Sequence, residues 1–418
     1  MGVILEDKVQ SRRELALDGL RGIGALIVLF WHLSVHFFPA AAWGAVQPAS
    51  WWWESLIYRG PFGFIVSGSF AVVLFFLLSG YVLTIGYLRN GEIDAMHRRL
   101  VGRIPRLFVP ATVTTLIFYF CFQYLPYTSG KTGIDVLKET GSFQFLEPYL
   151  GFNFDFSAHE LFMNVFWLPW FNTDFKLLYN GVLWTMYIEL SGSFLAIILT
   201  MAMCRVFGRR YVAAPMLILA ILPVWIYPGY GLYFSFFILG SFIASLDLKP
   251  LLRGPVATIA CVLLLLAGLF AGGYTGVGMT SILSFTQDQS GVIPTLILLK
   301  GAGATMVFVV TLLSADISKF LSRSFFVWLG SISFSLYLIH PLLIPYIGHS
   351  VFFALGDGVP MHYRTVISSF TTIMVALPVS VLLTMWMDEP SVRFSQALGR
   401  RVMGNRYLRP PSRQVAAK

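Results

Sequence analysis

The chain has 418 residues, of which 57% are hydrophobic and 12% charged, with 29 Lys and Arg against 20 Asp and Glu and a net charge of +9. A soluble domain of this size carries roughly a quarter charged residues on its surface, so the composition excludes a soluble globular protein, and a disordered or collagen-like chain with it. The three cysteines, Cys121, Cys204 and Cys261, lie far apart in or beside apolar runs and read as buried thiols, not as a disulfide framework.

Ten apolar runs approach the length of about 20 residues that a helix needs to cross a bilayer: 22–38, 64–88, 107–126, 183–204, 211–228, 230–246, 255–273, 292–314, 325–348 and 365–387. They are continuous where a spanning strand would alternate, which favours helices over a β-barrel. The predicted fold is an all-α membrane protein, about ten transmembrane helices in one bundle. Arg12 and Arg13 before the first run and Ala40, Ala41 and Ala42 after it imitate a signal peptide. A secretory apolar core is shorter, roughly 7–15 residues, and this run holds His32 and His36, so an uncleaved first span is expected.

With the N-terminus in the cytoplasm, 23 of the 29 basic residues fall on cytoplasmic segments. The other six, Arg59, Lys131, Lys138, Lys176, Lys300 and Arg364, fall outside or in the outer half of a span. The positive-inside rule therefore predicts both termini in the cytoplasm. It also accounts for the +9, and no nucleic-acid partner is expected. Residues 1–390 read as one integral membrane domain and 391–418 as a basic cytoplasmic tail. The long outer connection, about 127–182, holds Asp135, Glu139, Glu147, Asp155, Glu160 and Asp174 and the cluster Trp167, Pro169, Trp170 and Phe171. It reads either as a loop in the interfacial aromatic belt or as a lid or wall over an outward-facing site.

Within the ten runs, five side chains of the Asp, Glu, His, Lys and Arg types occur: His32, His36, Glu189, Lys300 and His340. A charge at the bilayer centre costs about 2.5–3.5 kcal/mol on insertion scales, so these are the candidates for chemistry. His32, Glu189, Lys300 and His340 share the outer half. A carboxylate that accepts one imidazole N–H leaves the other nitrogen free as a base, so His32 and Glu189 form a candidate acid–base pair; a structural ion or hydrogen-bond pair is the alternative. Lys300 either pairs with Glu189 or snorkels outward. His36 reads as interfacial. Arg21 and His32 are 11 residues apart, which places them on one helix face about 16 Å apart, with Asp18 one turn before Arg21. That stripe has the layout of a path through the membrane. Arg103 and Arg106, around Pro105, read as positive-inside anchors or as a phosphate site at a proline-started helix N-terminus.

Several segments resemble the acyltransferase-3 family. Leu17–His32, LDGLRGIGALIVLFWH, resembles its first helix, an arginine followed by ten residues and a histidine. Val72–Thr84 resembles the second helix, and Arg98–Pro110 the third, with Arg103 and Arg106 on a paired-arginine motif. Leu183–Leu190 is similar to a Trp-to-Glu motif, Ile332–Leu343 to the ninth span, and Glu389-Pro390 to a closing acidic-proline motif. The resemblance implies transfer of an acyl group, usually acetyl, from cytoplasmic acyl-CoA to a hydroxyl of a glycan or lipid-linked sugar outside. The setting it implies is a plasma membrane, a bacterial inner membrane above all, with lipid as the other partner. No metal and no permanently bound cofactor are expected. On this analogy His32 is the base or transient acyl carrier and Glu189 supports it. Arg21, Arg103 and Arg106 hold the CoA side, and Asp18 and His340 assist. The rival class is a multi-pass transporter or flippase of an envelope-polysaccharide pathway, although the inverted repeats common in transporters are not visible.

Overall fold

The computed structural model describes residues 2–44, 51–125, 133–142, 154–226, 230–248, 254–286 and 295–403. Lys131, Glu147, Lys249, Arg253 and the chain from 404 onward, all used in the sequence reading, lie outside the described residues. Among the described residues there is no strand. Each of the ten apolar runs falls on a helix: α1 (Gly2–Phe37), α2 (Gly68–Asn90), α3 (Ile93–Tyr124), α4 (Trp184–Phe207), α5 (Ala213–Ile226), α6 (Gly231–Ser245), α7 (Pro255–Gly272), α8 (Thr295–Leu313), α9 (Ser324–Leu343) and α10 (Met361–Leu383). Eight of these regions are long and apolar enough to cross a membrane. The two exceptions, α5 with 14 residues and α6 with 15, reach only about 21–22 Å at 1.5 Å per residue against a hydrocarbon layer of about 30 Å.

Burial explains why the short α6 is tolerated, whereas α5 buries only Met216, Ala220 and Val224. α6 hides 12 of its 15 residues, packed between α2, α4 and α5, so protein and not lipid surrounds its backbone ends. α2 is the hub of the bundle and packs against α1, α3, α4, α6 and α8. Phe70, Phe76, Leu74, Leu77 and Leu78 of α2 are all buried.

The crossing that builds the site is α1 on α9, the most extensive in the molecule together with α2 on α6. Lipid tails are as apolar as leucine, so membrane helices gain from close backbone approach, and small residues permit it. A Cβ on Gly22 would come within 2.6 Å of the Gly330 nitrogen, and one on Gly330 would strike the Asp18 carbonyl. The glycines of the first-helix motif therefore set how near the two histidine-bearing helices lie.

Beyond α10 the chain does not leave the bundle. A π-helical turn over Thr384–Asp388 runs into α11 (Glu389–Met403), which packs along α3. The Ser395 hydroxyl donates to the Gly102 carbonyl across that contact. A second π-helical turn, Ile344–His349, extends α9.

The described parts of the 127–182 connection are tied to the bundle by hydrogen bonds and an ion pair. Thr140 and Ser142 donate from their hydroxyls to the His36 carbonyl at 3.0 and 3.2 Å, and Glu139 pairs with the buried Arg364 at 3.1 Å. Asn180 Nδ2 donates to the Leu338 carbonyl at 2.9 Å. Tyr179 donates to Glu160 at 3.1 Å; burial, then that carboxylate, pushes the phenol up. Trp167 and Phe171 are exposed whereas Trp170 is buried.

Candidate active site

α1 and α9 bring together two histidines that are 308 positions apart: His340 Nε2 lies 3.1 Å from His32 Nδ1. Each ring also reaches back one turn in its own helix. His32 Nδ1 is 2.9 Å from the Val28 carbonyl, and His340 Nδ1 is 2.9 Å from that of Leu336. Carbonyl oxygens accept and never donate, so in both neutral rings Nδ1 carries the hydrogen. His340 Nε2 is then an acceptor for His32 Nδ1–H, and His32 Nε2 is left with its lone pair free. His32 is half-buried while His340 is buried at 1% exposure, so the accessible base of the pair is His32.

The sequence reading expected Glu189 to orient His32, and the geometry is different. Val28 and His340 orient it. Glu189 is bound to Arg103 in a part-buried ion pair and accepts from the Ser79 hydroxyl at 2.8 Å. Arg103 Nε also donates to Ser193 Oγ at 2.8 Å. Lys300 does not pair with Glu189 either. It is buried, with Nζ 3.3 Å from the Ser69 hydroxyl. Nor is His36 a free interfacial residue: its Nδ1 is 3.1 Å from His349 Nε2, a second histidine pair one helical turn beyond the first. Nor does a helix begin at Pro105. α3 starts at Ile93 with Pro105 inside it, so Arg103 and Arg106 lack the helix-terminal dipole expected for a phosphate site there.

At the end of α1 that carries Arg21, two cavities adjoin and share Arg21, Ser79, Arg103 and Arg106. The outer one, about 610 Å³, lies between α3 and α11 and presents Arg21, Arg98, Arg99, Arg103, Arg106 and Arg400, with no carboxylate in its lining. The inner chamber, about 310 Å³, has three arginines, Arg21, Arg103 and Arg106, against three acids, Asp18, Glu189 and Asp388, among apolar side chains such as Val72, Phe76 and Met186. Arg21 is paired with Asp18 at 2.9 Å and Arg103 with Glu189. The outer cavity is thus strongly cationic and the inner one balanced. Tyr337 lines the inner chamber, its hydroxyl held by the Val182 carbonyl and Thr185 at 2.9 Å each. Its ring centre is 6.2 Å from that of His340. One side chain therefore links the chamber wall to the histidine pair.

Asp18, Arg21, Arg103, Arg106 and Glu189 therefore meet around one chamber, while His32 and His340 form a separate cluster beside it. Asp388 escaped the sequence reading, which looked inside the apolar runs and at Glu389-Pro390. It stands directly after the tenth run and before that motif, and the π-helical turn is what aims it inward. Among the described residues no group of three or more His, Cys, Asp or Glu stands close enough to hold a metal.

The chain matches the acyltransferase-3 family, described as an acyltransferase domain, over residues 14–388, and belongs to that family. It is similar to the O-acetyltransferase PaAT-1 of Phomopsis amygdali, 26% identical over 440 aligned positions that cover 93% of this chain and 84% of that protein. It is also similar to the O-acetyl transferase of Shigella phage Sf6, 26% identical over 193 positions, 42% of this chain and 51% of the phage protein. No solved structure matches it. The protein is an acyltransferase with multiple apolar helices of membrane-spanning length, which sets the transporter alternative aside.

Proposed function

We propose that the protein is a membrane O-acetyltransferase that receives an acetyl group from acetyl-CoA at its arginine-rich, cytoplasmic end. It delivers the group to a hydroxyl of a carbohydrate acceptor at the histidine end, with ten membrane passes and both termini inside. The two relatives bear O-acetyltransferase names, which supports acetyl and oxygen. The division of charge between the adjoining cavities carries the donor reading. A pocket of six arginines without a carboxylate suits the phosphates of CoA, because guanidinium groups bind phosphate oxygens in pairs. A balanced, partly apolar chamber next to it suits the neutral arm that bears the thioester.

In the reaction, His32 Nε2 takes the proton of the acceptor hydroxyl as that oxygen attacks the thioester carbonyl carbon. The carbon–sulfur bond breaks, and the departing thiolate is protonated by the imidazolium, which gives ester and free thiol. Positioned base catalysis of this kind contributes about 10²–10⁴-fold. His340 acts through its bond to Nδ1–H, holding the tautomer that keeps Nε2 basic. Transfer through an acyl-His32 intermediate uses the same nitrogen as nucleophile. The test is purified protein in lipid vesicles with acetyl-labelled acetyl-CoA on one side and a hydroxyl-bearing glycan on the other. Label is expected on the glycan; movement of unlabelled glycan without acetylation would overturn the proposal.

A further inference from the structure

In the inner chamber two of the three arginines have carboxylate partners, Arg21 with Asp18 and Arg103 with Glu189. Arg106 and Asp388 remain, and among the described residues neither makes an ion pair within 4.0 Å. Asp388 is buried at 8% exposure, and its Oδ1 has no hydrogen-bond partner. A buried carboxylate oxygen without a donor loses its hydration and receives nothing in exchange. The chain nevertheless keeps an acid there, brought round to the chamber by the π-helical turn Thr384–Asp388, whose other end is fixed by the Thr384 hydroxyl 2.9 Å from Ser335 Oγ. π-helical turns inside helices are frequent at functional sites.

We infer that Asp388 is a donor-binding residue, its carboxylate accepting an amide N–H from the neutral arm of the CoA thioester. This inference rests on the CoA reading proposed above. The order of parts along the donor supports it. With the phosphates among the arginines of the outer cavity, the next portion of CoA is an uncharged arm with amide groups and a hydroxyl, and the adjoining chamber is where it would run. A secondary amide presents one donor and one acceptor, on opposite edges of its planar trans unit. Asp388 and Arg106 present the complement, one carboxylate to accept N–H and one guanidinium to donate to the carbonyl. A second ion pair between protein groups would close that opportunity; the two groups stand apart and leave it open.

The test uses the full chain in lipid nanodiscs and compares Asp388→Ala and Asp388→Asn with the wild type. Two ligands are measured at equilibrium, CoA and an adenosine bisphosphate that is the nucleotide end without the arm. A hydrogen bond to a charged group corresponds to about tenfold or more in affinity. Asp388→Ala is expected to weaken CoA about tenfold and to leave the bisphosphate unchanged, which also shows that the variant is folded. Asp388→Asn keeps an oxygen in the same place and is expected to recover most of the CoA affinity. In acetyl transfer the alanine variant should raise KM for acetyl-CoA by the same factor with kcat within about twofold. Equal losses for Ala and Asn, or equal losses for both ligands, would show that Asp388 serves only to balance charge and would overturn the inference. Unchanged CoA binding by Asp388→Ala would overturn it while leaving the donor reading intact. Wild-type protein that binds the bisphosphate no worse than CoA, and does not consume acetyl-CoA, would overturn both.

Discussion

The two ends of α1 solve opposite problems. Around Arg21 the bundle gathers cations from α1, α3 and α11, pairs some of them with acids, and leaves two adjoining cavities. Around His32 it gathers imidazoles from α1 and α9, holds them with backbone carbonyls, and surrounds them with packed aromatic and aliphatic side chains. Charge inside a membrane is costly, so the arginine end keeps its full charges where exposed groups such as Arg99 and Arg400 open the site to water. In the proposed mechanism the histidine end works with neutral groups whose hydrogens are directed by geometry. The contrast is between an end that holds full charges in open cavities and an end that holds neutral rings in packed surroundings.

Removing the base should make the largest difference. His32→Ala is expected to lower kcat by at least about 10², measured as labelled acetyl transfer in vesicles, with unchanged helical content. Near-normal turnover would erase the functional distinction between the two ends.

Next in size is the part-buried Arg103–Glu189 pair at the arginine end. Breaking a buried ion pair from one side leaves an uncompensated charge and costs about 3–5 kcal/mol. Glu189→Gln and Arg103→Met should each lower thermal stability in detergent by an amount of that order, and the double variant should lose less than either single one. Additive losses would mean that the two groups do not interact.

A smaller effect is expected at His340, which in the proposed mechanism holds the tautomer of His32 through their 3.1 Å contact. The Val28 carbonyl still accepts from Nδ1 in its absence, so His340→Ala should lower kcat by about tenfold at most with KM for acetyl-CoA unchanged. A loss as large as that of His32→Ala would make the two histidines equal partners.

The smallest change belongs to Arg400, an exposed arginine on the rim of the outer cavity. Arg400→Ala should raise KM for acetyl-CoA by a few-fold at low salt, and the difference from wild type should shrink as ionic strength rises. A salt-independent effect would mean that Arg400 contributes packing to α11 and not charge to the site.

Helix positions and the identity of the important side chains were legible because both rest on local chemistry. Apolar runs located α1 to α10, and the helical period placed Asp18, Arg21 and His32 on one stripe of α1. The pairings were not legible. Distance along a span placed Glu189 beside His32, but residue 189 of α4 turns toward α3 and α2, meets Arg103 and Ser79, and lines the chamber at the Arg21 end instead. Asp388 and His349 were hidden for another reason. Each stands one residue past the end of an apolar run, at 387 and 348, and each is the last residue of a π-helical turn that carries it back into the bundle.

By itself, then, the sequence determined that this is a many-helix membrane chain, where its helices run, and which scarce ionisable groups lie within them. Scarcity and periodicity are properties of one helix at a time. Tertiary structure alone decided that His32 answers to His340, that Arg103 takes Glu189, and that Asp388 faces the chamber with an oxygen unsatisfied. Those contacts depend on where helices cross and how each is rotated, and at the α1–α9 crossing both are set by backbone contact between Gly22, Gly330 and Asp18.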